Sequence, residues 1–248
     1  MSVIKKIIIK ELQAHNKGVS VWIGLIGLLL IQGYFLTLNL MNYSDPFSTP
    51  GNWNDGPMTV LLLDCCFLGV LFSPFITIST ICLERKENTL EFLLAQPIKT
   101  SSIILGKLIA STILIFAILS FPTIGIIWLS KFGVIDYGHY LSGLIGLLLL
   151  SFALSGLGIF ISSITDNLTA AFSISFPVFL SFWFIGFLEN TNTNNSALLQ
   201  GFAELGFQKK LANFSEGIIH PENVFYFVLF GLFWFLLTKK IMELRGWK

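Results

Sequence analysis

Five apolar runs, at 19–40, 59–83, 103–130, 141–164 and 168–188, are long and almost free of charge, and they constrain the fold more than any other feature. In helix, about 20 apolar residues span the roughly 30 Å hydrocarbon core of a bilayer. No water is present there to take up unpaired N–H and C=O groups, so such runs must be helices or the strands of a closed barrel. Continuous rather than alternating hydrophobicity excludes the barrel. A sixth run, "NVFYFVLFGLFWFLLT" at 223–238, is short. It crosses if Lys239 and Lys240 extend to the headgroups or the bilayer thins locally. The expected fold class is therefore all-α integral membrane, with six transmembrane helices in a single domain over 1–248. Charged residues are 12% of the chain, against about 25% in soluble domains, so most of the surface is built for lipid. The first run is longer than the about 7–15 residues of a signal-peptide core and lacks a small-residue cleavage site, which makes it a retained anchor.

Positive charge orients the six segments. Lys5, Lys6, Lys10, Lys17, Arg85, Lys86, Lys99, Lys107, Lys239, Lys240, Arg245 and Lys248 fall on one side, against Lys131, Lys209 and Lys210 on the other. The asymmetry holds only if the short sixth segment crosses. It places both termini of this multi-pass chain in the cytoplasm. The net charge of +1 and the lack of a Lys/Arg-rich tract give no sign of nucleic-acid binding.

On the outer side, 41–58 is rich in Pro, Gly, Asn and Asp and 131–140 is a short turn. The longer 189–222 loop carries Leu198, Phe202 and Leu205, then Phe207, Leu211 and Phe214, at helical spacing. This predicts an outer amphipathic segment over about 197–220 lying at the membrane interface, either as an anchor or as a lid over an exit path. At the N-terminus, Ile4, Ile7, Ile8 and Leu12 take one side of a helix and Lys5, Lys6, Lys10 and Glu11 the other. That is a basic interfacial helix drawn to anionic lipid, or part of a docking surface.

Catalytic chemistry finds little support. Gly106-Lys107 lacks the glycine spacing and the following Ser/Thr of a phosphate-binding loop. His15, His139 and His220 sit in separate loops and ends, and Cys65, Cys66 and Cys82 share one apolar run, where they read as small apolar residues. Asp64 lies a few residues inside its span, where an ionisable group is costly. It is either hydrogen-bonded near the headgroups or lines a pathway, and it has no second membrane-embedded Asp with which to form a protease. Ser151, Ser155, Gly158 and Ser162 form a stripe of small residues that lets another helix approach closely, in this chain or another. Pro74, Pro122 and Pro177 predict kinks.

The largest island of charge is "ERKENTLEFLLAQPIKTSSIILGK", from Glu84 to Lys107. Asn88 reads as an N-cap, with Glu91 three residues on in capping-box position. Pro97 ends the segment, leaving a helix of about two turns over 89–95. Leu90, Leu93 and Leu94 share one face, with Glu87 and Glu91 on another. So short a helix is marginal alone and must pack on something. Its apolar ridge suits a groove on a partner protein.

An ordered set of motifs accompanies this loop: "KKIIIKEL", "TLEFLLAQP", "IILGK", "GLGIFISSITDNLTAAFSISF" and "FSEGIIHPENVFYF". Together they cover nearly the whole chain and resemble the type-2 ATP-binding cassette (ABC-2) transporter permeases, closest to the gliding-motility-associated permease subgroup. The resemblance implies a non-catalytic transmembrane permease subunit, working as an exporter, with two chains per pore as a homodimer or heterodimer. ATP and Mg would be bound not by this chain but by a separate ABC ATP-binding subunit, in two copies. The 89–95 helix would be a cytoplasmic coupling helix seated in a cleft of that subunit. Leu90, Leu93 and Leu94 would insert, Glu84, Glu87 and Glu91 would make charged contacts, and Asn88, Thr89 and Pro97 would shape the loop. Asn88 departs from the Gly usual in the family. An ATP-independent membrane scaffold or channel subunit is the alternative, and it would need no partner at the loop.

Overall fold

The computed structural model describes residues 3–17, 19–44, 57–90, 98–121, 123, 137–186, 201 and 203–245, and all regular structure among them is helical. The elements are α1 (Val3–Lys17), α2 (Val19–Ser44), α3 (Pro57–Thr77), α4 (Ser79–Lys86), α5 (Thr100–Ser120), α6 (Tyr137–Ile164), α7 (Leu168–Phe184), α8 (Phe207–Ser215) and α9 (Pro221–Arg245). Among the described residues, four helical stretches are long and apolar enough to cross a membrane: Thr59–Lys86 through α3 and α4, all of α5, all of α6, and Pro221–Leu244 of α9. Ile26–Asn39 in α2 and Leu168–Phe184 in α7 are shorter apolar stretches. The third run of the sequence, 103–130, is helical as far as Ser120; Pro122 and 124–136 lie outside the described residues, as do the loop 45–56 and the tract 187–200.

The 28-residue α6 is the axle of the bundle. It packs against α3, α4, α5, α7, α8 and α9, and 72% of its apolar window is buried, against 17% for the peripheral α9. Its small residues permit this. A Cβ on Gly156 would come within 2.9 Å of the Gly231 carbonyl oxygen of α9, so only glycine lets those two backbones meet. A broad cluster from α3, α5, α6, α7, α8 and α9, including Leu62, Leu150, Phe179 and Phe227, fills the middle of the protein.

Two expectations need correction. The sixth helix is longer than the short apolar run it carries, because α9 covers 25 residues, Pro221–Arg245. Hydropathy stops at the first lysine, but the helix does not. Pro221 is favourable in a first turn, and Lys239 and Glu243 form an i, i+4 pair at 3.9 Å that carries the last turns onward. The outer segment does not rest the apolar side of α8 on lipid, although Leu205, Ile218 and Ile219 on either side of it are exposed. Phe207, Leu211 and Phe214 of α8 are 0–2% exposed and packed into the bundle. Phe207 stacks on Phe182 at 5.4 Å and meets Phe230 edge-on at 5.2 Å. The reason is polar as much as apolar. The last carbonyls of α8 lack helical partners, and Ser142 donates to Phe214 O at 2.8 Å while Thr59 donates to Ser215 O at 3.1 Å. Leu198 and Phe202 lie outside the described residues.

Candidate functional site

The charge cluster at 84–87 sits where α4 leaves the bundle, and its charges divide between two internal anchors. The first begins at Lys107 of α5, which is 1% exposed. Its Nζ donates to Glu11 Oε1 of α1 at 2.7 Å and to the Thr80 carbonyl at 2.7 Å, and lies 2.8 Å from Glu84 Oε2. Lys10 pairs with the other Glu84 oxygen at 3.3 Å. Two carboxylates and two ammonium groups thus balance, so the buried Lys107 charge is both paired and hydrogen-bonded, which is what burial requires. Gly106 prepares the contact. A Cβ there would lie 2.7 Å from Ile7 Cγ2, so glycine lets α1 come close enough for Glu11, one turn beyond Ile7, to reach Lys107. His15 extends the seam, its Nε2 lying 3.3 Å from both Ile76 O and Ser79 Oγ at the α3/α4 junction.

The second anchor is Arg85. Its guanidinium donates to Ser163 O and Thr165 O, each at 3.0 Å, and pairs with Asp166 at 2.5 Å. These are C-terminal carbonyls of α6 and the turn after it, the groups a helix end leaves unpaired, and a cation there also suits the helix dipole. The turn is completed by Asn167, whose side chain accepts from Thr169 N and caps α7.

The small-residue stripe of α6 meets the same chain. Ser151 and Ser155 donate to the carbonyls of Leu147 and Ser151 in their own helix. A Cβ on Gly158 would land on the Thr77 side chain. Ser162 donates to Ile78 O at 2.6 Å and accepts from Cys82 N at 2.9 Å. Its hydroxyl therefore bridges the Ile78 carbonyl and the Cys82 N–H, an i, i+4 pair in the first turn of α4.

Beyond α4 the chain turns out. Lys86, Glu87, Asn88 and Thr89 are exposed. Asn88 has φ 56°, the left-handed conformation, while Glu87 N bonds Leu83 O and Asn88 N bonds Arg85 O, both at 3.0 Å. The N-cap expectation for Asn88 is corrected accordingly. An N-cap has extended backbone, whereas a left-handed residue closes the helix before it, a place that Gly fills best and Asn next. Thr89 Oγ1 donates back to Glu84 O at 3.1 Å.

Two further expectations change. Glu84, read as a contact for a partner, is held inside the chain by Lys107 and Lys10. Leu90, read as part of an inserting ridge, is 5% exposed and packs with Ile81, Ile104, Leu108, Ile159, Phe235 and Met242. Glu91, Leu93, Leu94 and Pro97 lie outside the described residues. Asp64 sits at the opposite end of the bundle, half-buried, accepting from Asn39 Nδ2 at 2.9 Å, and the hydrogen-bonded reading fits it. Among the described residues no group of His, Cys, Asp and Glu is placed to hold a metal.

Sequence reasoning missed Lys107, Glu11 and the Arg85 anchor. One signal was available: Lys107 is the sole charge between 100 and 120, and a lone intramembrane lysine implies a buried partner.

Comparison with known proteins agrees with this architecture. The family model described as ABC-2 family transporter protein matches residues 5–230. No individual curated protein matches the sequence significantly.

Proposed function

The chain belongs to the ABC-2 family of transporter proteins, a multi-pass transmembrane permease subunit of a type that works with an ABC ATP-binding partner, and from that premise we propose how it is driven. The ATP-binding subunit docks on the 84–97 loop, and ATP and Mg act on that subunit, in two copies per complex. The single observation that carries this is the double anchoring of α4. Glu84 ties it to α1 and α5 through Lys107, Arg85 ties it to the end of α6, and the next residues, Lys86 to Thr89, are left exposed. A loop held on two sides and bare on the third is a platform on which a push is felt by the whole bundle.

Leu90 faces inward, so the docking contact is made by the charged residues of the loop, Glu87 and Glu91, flanked by Lys86, Asn88 and Thr89. The chain crosses six times with both termini in the cytoplasm of a prokaryote, pairs with a second permease chain, identical or not, and exports its substrate. Within the family it stands with the gliding-motility-associated permeases, on the motifs quoted above.

Native extraction of the tagged chain tests this. An ATP-binding protein is expected to co-purify, and Glu87→Lys with Glu91→Lys to release it while the chain keeps its elution profile and melting temperature. Recovery of the chain alone returns the scaffold or channel reading. Release by Leu93→Glu with Leu94→Glu, and not by the charge reversal, returns docking to the apolar ridge.

A further inference from the structure

We propose that Ser162 is a positioning residue that carries movement of the 84–97 loop into α6 rather than straight up α3. The inference rests on the loop being where the ATP-binding subunit docks. Along its own axis, the helix that leads to the loop is loosened rather than broken: Pro74 has no N–H to donate, while Ile78 stays helical and its N–H bonds Pro74 O at 3.0 Å. At the start of α4 the Ser162 hydroxyl bridges two backbone groups of one turn, donating to Ile78 O and accepting from Cys82 N. A side chain inserted there joins the turn sideways to the helix that supplies the hydroxyl.

Two independent contacts extend the same sideways joint. Gly158, one turn before Ser162, lets Thr77 seat against the α6 backbone. Arg85, one turn beyond Cys82, binds the last carbonyls of α6. Thr77 to Arg85 thus lies against Gly158 to Asp166 through three polar or close contacts, with Thr77, Gly158 and Ser162 buried, Arg85 half-buried and Asp166 exposed. The partner in this joint is the axle of the bundle, so displacement of α4 reaches the opposite end through α6. Ser162 itself is fully buried, and among the described residues its hydroxyl bonds only Ile78 O and Cys82 N.

The test uses the full complex with its ATP-binding subunit in lipid nanodiscs. Spin labels are placed at Tyr137→Cys, in the first turn of α6, and Met41→Cys, near the end of α2, both exposed. Labelled chain is diluted with unlabelled chain. The native cysteines, Cys65, Cys66 and Cys82, are buried and stay unlabelled. ATP with vanadate is expected to shift the 41–137 distance in the otherwise wild-type chain. Ser162→Ala is expected to cut that shift by half or more while still retaining the ATP-binding subunit, and Ser162→Thr, which keeps the hydroxyl, to preserve it. Arg85→Met, which cuts the second contact, should reduce the shift independently should the added methyl of threonine not be accommodated. A wild-type distance that ATP does not move, or a Ser162→Ala shift equal to wild type, overturns the proposal. So does release of the subunit by Ser162→Ala, because the residue would then act on docking. If the wild-type chain retains no ATP-binding subunit at all, the docking reading fails instead, and the two failures are told apart on the purification column.

Discussion

Replacing Lys107 with methionine tests the buried network most directly. Methionine nearly matches the lysine stem in volume, so packing changes little and the perturbation is electrostatic. Lys107, Glu11 and Glu84 have side-chain exposures of 1%, 7% and 15%, so none is well screened by solvent. Glu84 keeps Lys10 at 3.3 Å, whereas Glu11 has only Lys107 as an ionic contact among the described residues. The expected loss is that of breaking one buried pair and leaving a carboxylate behind, about 3 kcal/mol, the low end of the about 3–5 kcal/mol range for such changes. For a chain of this size about 2–4 °C of melting temperature goes with each kcal/mol, so the melting temperature should fall by roughly 6–12 °C. Because Glu11 is the tie that holds α1, trypsin should also begin to cut at Lys5, Lys6 and Lys10 in detergent at neutral pH. The triple variant Lys107→Met, Glu11→Gln, Glu84→Gln removes the charges together and should recover most of the loss, since replacing a whole buried pair is often neutral. A Lys107→Met protein that melts within a degree or two of wild type, or a triple variant less stable than the single, would refute the reasoning.

Three other outcomes follow from the same geometry. Gly106→Leu should cost about 1–3 kcal/mol by overpacking against Ile7, and Ile7→Ala in the same chain should return part of it in a thermal melt. Arg85→Met should cost about 2 kcal/mol by leaving the Ser163 and Thr165 carbonyls without their charged donor; hydrogen exchange should then quicken in peptides ending near 166 and not near 140. At the other end, Lys209 and Lys210 at 2.6 and 2.9 Å hold the Glu204 carboxyl down to about 2 from an ordinary 4.5. A carboxylate depressed on folding stabilises above its unfolded value and loses that contribution as pH falls through the folded one. The melting-temperature gap between wild type and Glu204→Gln should therefore be constant above about pH 5 and close between pH 4.5 and 2. Half-exposed as the pair is, the gap should stay under about 1 kcal/mol.

What could be read in advance depended on whether the signal was local. The apolar runs announced their helices because burial in lipid is a property of each segment alone, and the small-residue stripe of α6 announced a close approach. Its partner was not legible, because nothing local says that Gly158 will face Thr77, eighty-one positions away in the chain. Lys107 looked like one more positive charge near a headgroup, and its real partner, Glu11, lies 96 residues away. Asn88 misled for a chemical reason. Asparagine serves both as an N-cap and as a left-handed helix stop, and only the length of α4 before it selects the second role. Periodicity groups Leu90 with other leucines but does not state what covers it, and for Leu90 the cover is this chain's own Met242 and Phe235.

The same division explains why the island of charge exists in so oily a chain. A partner's docking loop could carry its charges outward and be joined to the bundle by backbone alone. Here the two charges closest to the bundle, Glu84 and Arg85, are turned inward, while the next two, Lys86 and Glu87, are turned out. An inward charge holds its place more firmly than an apolar side chain, because sliding Glu84 off Lys107 leaves a buried charge unpaired, whereas sliding a leucine merely exchanges one apolar neighbour for another. Direction matters as well as strength. Glu84 is fixed to α1 and α5 and Arg85 to α6, and the first turn of α4 is tied to α6 again through the Ser162 hydroxyl. A force on Lys86 or Glu87 is therefore met by lateral ties to α1, α5 and α6, each of which costs a buried polar contact to slide.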